Sequence, residues 1–260
     1  MATAHRTFKL DLWVFQGSMS PQNLEVLRNL KAADDRQFTK GLRITGKVAE
    51  IRDGQSDDYA ITTLDTGRWN PEAGETPRLV AKLFRSGSKR IDWAGSIEAL
   101  NVAGRASTAG AGTPLINLAV ILDQSTEVGR IDEVARRCFA ISPRFAGAFR
   151  PDEKRWLPLR LTRQLLRPGI DYKVTDGNGR RVAFIDGRLV ALGYDARVTI
   201  EDEALARNAR FCHWLLLFGM TLPHLGAIRR QLRRANRAGE PVEPDATESW
   251  LLANPRRYRH

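Results

Sequence analysis

Between Leu42 and Leu122 apolar and polar residues alternate along five short stretches, and turn-forming residues interrupt the pattern four times. A period of two places successive side chains on opposite faces of a strand, so this stretch fits a sheet packed on one core and not a helical bundle. The expected strands are Leu42–Ile51, Tyr59–Leu64, Leu79–Phe84, Ile97–Ala103 and Leu115–Leu122. In the first, Leu42, Ile44 and Val48 point inward, and Arg43, Thr45 and Lys47 point outward. DGQSDD (53–58) reads as a turn, and Thr66–Pro77 as a longer loop carrying Arg68 and Trp69. In the third strand Lys82 and Phe84 share a face. Gly104–Thr113, with Arg105 near its start, reads as a flexible loop. Upstream, residues 7–16 alternate as a further strand, and Ser20–Pro21 opens a helix striped by Leu24, Leu27 and Leu30.

Five strands in about 80 residues, with the main spacer between the third and fourth, match the layout of a five-stranded OB barrel. Gly46 supplies the sharp bend that so small a barrel requires. The I-x-G-x-V pattern at Ile44–Val48 and the V-x-G-R pattern at Val102–Arg105 carry a resemblance over residues 41–123. The segment resembles the OB domain of bacterial single-stranded-DNA-binding proteins. That resemblance implies a groove that stacks bases on aromatics beside cations. The candidates are Lys47, Arg68, Trp69, Lys82, Phe84 and Arg105.

Residues 124–150 read as a linker or short helix, with IDEVARRCF (131–139) helical and 144–156 irregular. From Leu159 to Asp202 strands return as a meander punctuated at Asp176–Gly179 and Asp186–Gly187. Asp171–Asp176, Gly179, Ile185–Gly187 and Thr199–Asp202 resemble the opening strands of the LURP-one-related, tubby-C-terminal-like family. The resemblance implies a barrel of about twelve strands around a central helix, with lipid-related associations. This chain turns helical after Asp202, so at most half of such a barrel is expected. The expected fold is therefore α+β and mostly β. An OB-like barrel occupies residues 1–123, and a β-meander with basic helices occupies 151–260.

Charge is unevenly distributed. The chain has 41 Lys+Arg against 30 Asp+Glu, a net of +11, and residues 131–260 hold +9 of that excess. A basic half points to a polyanionic partner. Within it, Arg229, Arg230, Arg233, Arg234 and Arg237 fall on one broad face of a helix over Leu225–Ala238. Like charges so placed repel unless phosphates answer them.

Other chemistries find little support. Cys138 and Cys212 cannot build a disulfide framework or a cysteine-rich zinc site, and a reduced cytoplasmic setting is expected. His213 and His224 read as packed histidines, with no metal expected. Asp176, Asp186, Asp195, Glu201, Asp202 and Glu203 sit at strand ends and turns, where acids make local hydrogen bonds. Neither GxGxxG nor GxxxxGK[ST] occurs, so no cofactor is expected. The opening residues lack the apolar run of a signal peptide. The longest apolar run, Trp214–Leu222, is nine residues, against about 20 needed to span a bilayer. The leading expectation is a non-enzymatic binder of single-stranded DNA or RNA, acting alone or as a subunit of a nucleoprotein complex. The alternative is a peripheral membrane or scaffold protein, in which Trp214–Leu222 and the arginine helix together engage anionic lipid.

Overall fold

The computed structural model describes residues 5–13, 42–70, 77–86, 91–125, 127–135, 143–152, 155–164, 169–190, 193–239, 244 and 248–249. Twelve antiparallel strands form one closed barrel. In chain order they are β1 (Arg6–Trp13), β2 (Leu42–Arg52), β3 (Gln55–Asp65), β4 (Val80–Ser86), β5 (Ile91–Ala99), β6 (Asn117–Leu122), β7 (Val128–Glu133), β8 (Arg144–Asp152), β9 (Arg155–Arg163), β10 (Tyr172–Asp176), β11 (Arg181–Val190) and β12 (Gly193–Ile200). Each strand pairs with its neighbours in sequence, and β1 pairs with β12, Arg6 opposite Ile200, to close the wall. Closure leaves no strand edge unpaired.

A twelve-stranded barrel is too wide for inward side chains from its wall alone to fill. Here a helix fills it. α4 (Glu203–Arg207) turns the chain at one end, with the Asp202 carboxylate accepting from Leu205 N. α5 (Ala209–Thr221) then runs through the interior, its first turn capped by the Asn208 side chain. Every residue from Phe211 to Thr221 is buried. A helix apolar on all sides is stable only when surrounded. The strands supply that surround. Phe211 meets Phe149 at 5.2 Å, Phe218 meets Phe145 at 5.4 Å and Tyr172 at 5.5 Å, all edge-on. One continuous core results, joining Phe8, Leu10 and Val48 to Val174, Ile185 and Val198 through the helix.

The far end of the barrel is covered by short helices. These are α1 (Thr66–Trp69), α2 (Asn101–Ala106), α3 (Thr108–Ala111) and, after a 3-10 turn at Leu222–His224, α6 (Leu225–Ala238). Leu225, Ile228 and Leu232 are the buried face of α6.

The structure corrects the OB expectation. Residues 42–122 form β2 to β6, five consecutive staves of a larger wall, and do not close on themselves. Gly46 does mark a close approach, but to β1: a Cβ there would lie 2.1 Å from the Asp11 carbonyl oxygen. The turn at 53–58 shrinks to Asp53–Gly54, both at positive φ, with β3 starting at Gln55. The fourth strand lies at 91–99 instead of 97–103, and the loop at 104–113 is largely helical. Ile131–Glu133 end a strand rather than start a helix, and the irregular stretch 144–156 is mostly the β8–β9 hairpin. The meander from Leu159 is present, but as staves of a complete barrel, which overturns the half-barrel expectation. One barrel thus draws on all three stretches, 1–123, 124–150 and 151–260. The helix expected near Ser20, Cys138 and the C-terminal segment at Trp250 lie outside the described residues.

Candidate anion-binding surface

The proposed stacking face does not assemble. Phe84 is 0% exposed, a core residue of the wall. Trp69 packs against the core and meets His224 edge-on at 5.4 Å. Arg68 follows Asp65, the cap of α1, whose carboxylate accepts from Arg68 N at 3.1 Å and lies 3.9 Å from the guanidinium. Lys47 is exposed on the outer wall of β2, opposite Asp11 on β1, and Lys82 is half-buried on β4 between Thr63 and Ser96. Arg105 belongs elsewhere: its Nε donates to Asn236 Oδ1 at 2.8 Å, tying α2 to α6.

The arginine helix forms as expected, and its arginines divide into two kinds. Arg229 lies within the packed stripe of Leu225, Ile228 and Leu232. Its guanidinium donates to Glu133 at 2.6 Å. The Glu133 side chain is only 4% exposed and also accepts from Ile116 N at 3.1 Å. Arg229 therefore clamps α6 to the ends of β6 and β7. Its place in an i, i+3, i+4, i+7 stripe was the signal that could have separated it from the ladder.

Arg230, Arg233, Arg234 and Arg237 are exposed and make no ion pair among the described residues. They line the outer face of a helix fixed at both ends. Arg229–Glu133 holds one end, and Asn236, bonded to Arg105 and Thr108 Oγ1, holds the other. Gly239, left-handed at φ 64°, stops the helix just after Arg237. The downstream acids Glu240, Glu243 and Asp245 lie outside the described residues.

The remaining candidates resolve into local structure. Asp176 accepts from Asn178 N and Arg180 N, Glu201 pairs with Arg181, and Glu203 pairs with Arg207. Asp195 faces Asp11 across β1–β12, and Asp11 is held above the usual carboxylate range by burial and by that second carboxylate. His213 sits inside the barrel, its Nε2 2.9 Å from the Tyr59 hydroxyl. Burial pushes His213 and His224 down to about 4, so both rings are neutral, and the tautomer of His213 sets which of the two groups donates in the Tyr59–His213 bond. Among the described residues no cluster of three metal-ligating side chains occurs.

Compared with known families, curated proteins and solved structures, the chain matches none.

Proposed function

We propose that this protein is a non-enzymatic, peripheral binder of anionic membrane surfaces, held by the four outward arginines of α6. The carrying observation is that Arg230, Arg233, Arg234 and Arg237 are exposed, without ion pairs among the described residues, on a helix whose other face is locked to the barrel. Guanidiniums pair well with phosphate oxygens, and basic clusters near an anionic leaflet contribute about 1 kcal/mol per residue. Contact is electrostatic and does not involve insertion of Trp214–Leu222, because that segment is sealed inside the barrel. Twelve strands around a buried helix also agree with what the resemblance to the LURP-one-related, tubby-like family implies, and that supports a lipid surface. The expected cytoplasmic setting belongs to the same proposal, since the cytoplasmic leaflet is the anionic one.

Nucleic acid is the second reading, favoured by the linear arrangement of the four arginines. It keeps the phosphate chemistry but loses its aromatic platform at Trp69 and Phe84. Co-sedimentation with neutral vesicles and with vesicles containing phosphatidylserine, beside titrations with single-stranded DNA, single-stranded RNA and duplex DNA, separates the two. The lipid proposal expects binding to the anionic vesicles alone at physiological salt. Nucleic-acid binding without vesicle binding establishes the second reading, and binding to none of these probes removes both.

A further inference from the structure

At the end of the barrel where α5 enters, the wall leaves a shallow cleft open to solvent, whose enclosed part has room for about one water or one end of a small ligand. The β6–β7 turn contributes Ser125 and Glu127, the β8–β9 hairpin contributes Arg150 and Trp156, and α5 contributes Arg210 and Trp214. Arg210 and Trp214 are four residues apart on one helix, so they face the same side of the wall.

Among the described residues, two donors in this cleft have no hydrogen-bond partner. Trp214 is 1% exposed, and its indole Nε1–H has no hydrogen-bond partner. Arg210 Nε–H is buried and likewise unpartnered, while the same guanidinium reaches Ser125 Oγ at 3.3 Å. Neither group can accept, so only an acceptor can satisfy them. A buried donor left unsatisfied costs about 1–3 kcal/mol. The position of the indole is not accidental. Gly147 and Gly129 flank it, and a Cβ on Gly147 would lie 3.0 Å from its ring. Gly147 thus leaves the room that the indole ring occupies beside the cleft, with Gly129 on the neighbouring strand close to Nε1.

The charge of the cleft narrows the ligand. Glu127 is paired with Arg150, whose guanidinium lies 5.7 Å from the centre of the Trp156 ring. Arg210 is then the one uncompensated charge among the six residues named. That balance suits a single negative charge, and Glu127 disfavours a second. Phe149 and Trp156, the latter 53% exposed, provide apolar walls beside the donors. We infer that this cleft binds a small carboxylate carrying an aromatic or aliphatic group. The carboxylate accepts from Arg210 and from Trp214 Nε1–H, and the apolar group rests on Trp156. The inference is independent of the arginine face of α6, which lies at the opposite end of the barrel.

Ligand-observed fluorine NMR with 4-fluorobenzoate on the intact chain tests it. The expected result is saturable line broadening, reduced at least about tenfold in affinity by Arg210→Gln, which replaces a half-buried charged donor without touching the core. Trp214→Phe keeps the packing and removes the N–H. It is expected to weaken binding several-fold while circular dichroism stays that of the parent chain. Should that variant not fold, Arg210→Gln decides alone. Phenyl phosphate, a dianion at about pH 8, is expected to bind more weakly than 4-fluorobenzoate. No saturable binding up to about 10 mM, binding untouched by Arg210→Gln, or tighter binding of the phosphate would each overturn the assignment.

Discussion

At the residue scale, Arg229 and Glu133 show how position changes the meaning of a charge. Glu133 is buried and accepts from both Arg229 and a backbone N–H. Removing one partner of a buried pair leaves the other uncompensated, which costs about 3–5 kcal/mol when both are deeply buried. Arg229 is partly exposed, so Arg229→Gln is expected to lower unfolding free energy by about 2–3 kcal/mol in urea. Adding Glu133→Gln should return much of that loss, a coupling that a double-mutant cycle reads directly. The buried histidines set a second expectation. Their pKa values in the folded protein, about 4, lie below the ordinary value of 6.5, so the unfolded chain binds more protons between those limits. Their contribution to stability is complete above pH 6.5 and falls as pH drops toward 4. The slope is about 1.4 kcal/mol per pH unit for each ring, levelling off below the folded value. Urea midpoints at pH 7.5 and pH 5 should therefore differ less in His224→Gln than in the parent chain, and equal differences would mean that the ring takes up its proton alike in the folded and unfolded states.

At the scale of elements, α6 carries the functional proposal and a measurable signature. Replacing Arg230, Arg233, Arg234 and Arg237 together by Gln should abolish binding to anionic vesicles. Stability should hold or rise slightly, because only mutual repulsion is removed. A melting temperature that falls sharply would mean those side chains are structural after all. The same scale shows what was legible in the sequence. β1 and β10 alternate cleanly, because one face meets the core and the other is at least partly open to water. The β8–β9 hairpin does not. Ala146, Gly147, Ala148 and Pro151 give it no apolar rhythm, since Gly147 is there to admit the Trp214 indole. β5 lost its period for another reason. Ser96 and Glu98 are buried along with Ala94 and Ile97, and Glu98 is paired with Arg78 beneath the cap. Tertiary cover on both faces erases the alternation that sequence reading relies on. Of the candidate site, the arginine face was visible as helical spacing. The Arg210–Trp214 cleft was not, because its members come from a helix and two distant hairpins.

At the scale of the whole molecule, the twelve strands and the helix inside them stand or fall together. Residues 1–125 would expose β1 and β6 as raw edges and would lack α5, whose side chains fill the interior. That fragment is expected to show no dispersed amide spectrum and to aggregate, whereas an independently folded OB unit would give sharp, dispersed peaks.

Closure also sets a timetable. β1 has β2 on one side soon after it is made, but its other partner is β12, nearly two hundred residues later, with Arg6 facing Ile200. At ribosomal rates of about 5–20 residues per second, that strand waits on the order of ten seconds or more with one edge open. The core helix emerges later still, after the last strand. The wall cannot seal first and receive α5 afterwards, because α6, which sits at the far end, would have to thread through it. The staves must gather round the helix once α5 has left the ribosome. A nascent chain stalled before Ala209 should therefore remain a client of chaperones, and emergence of α5 should be the event that frees it.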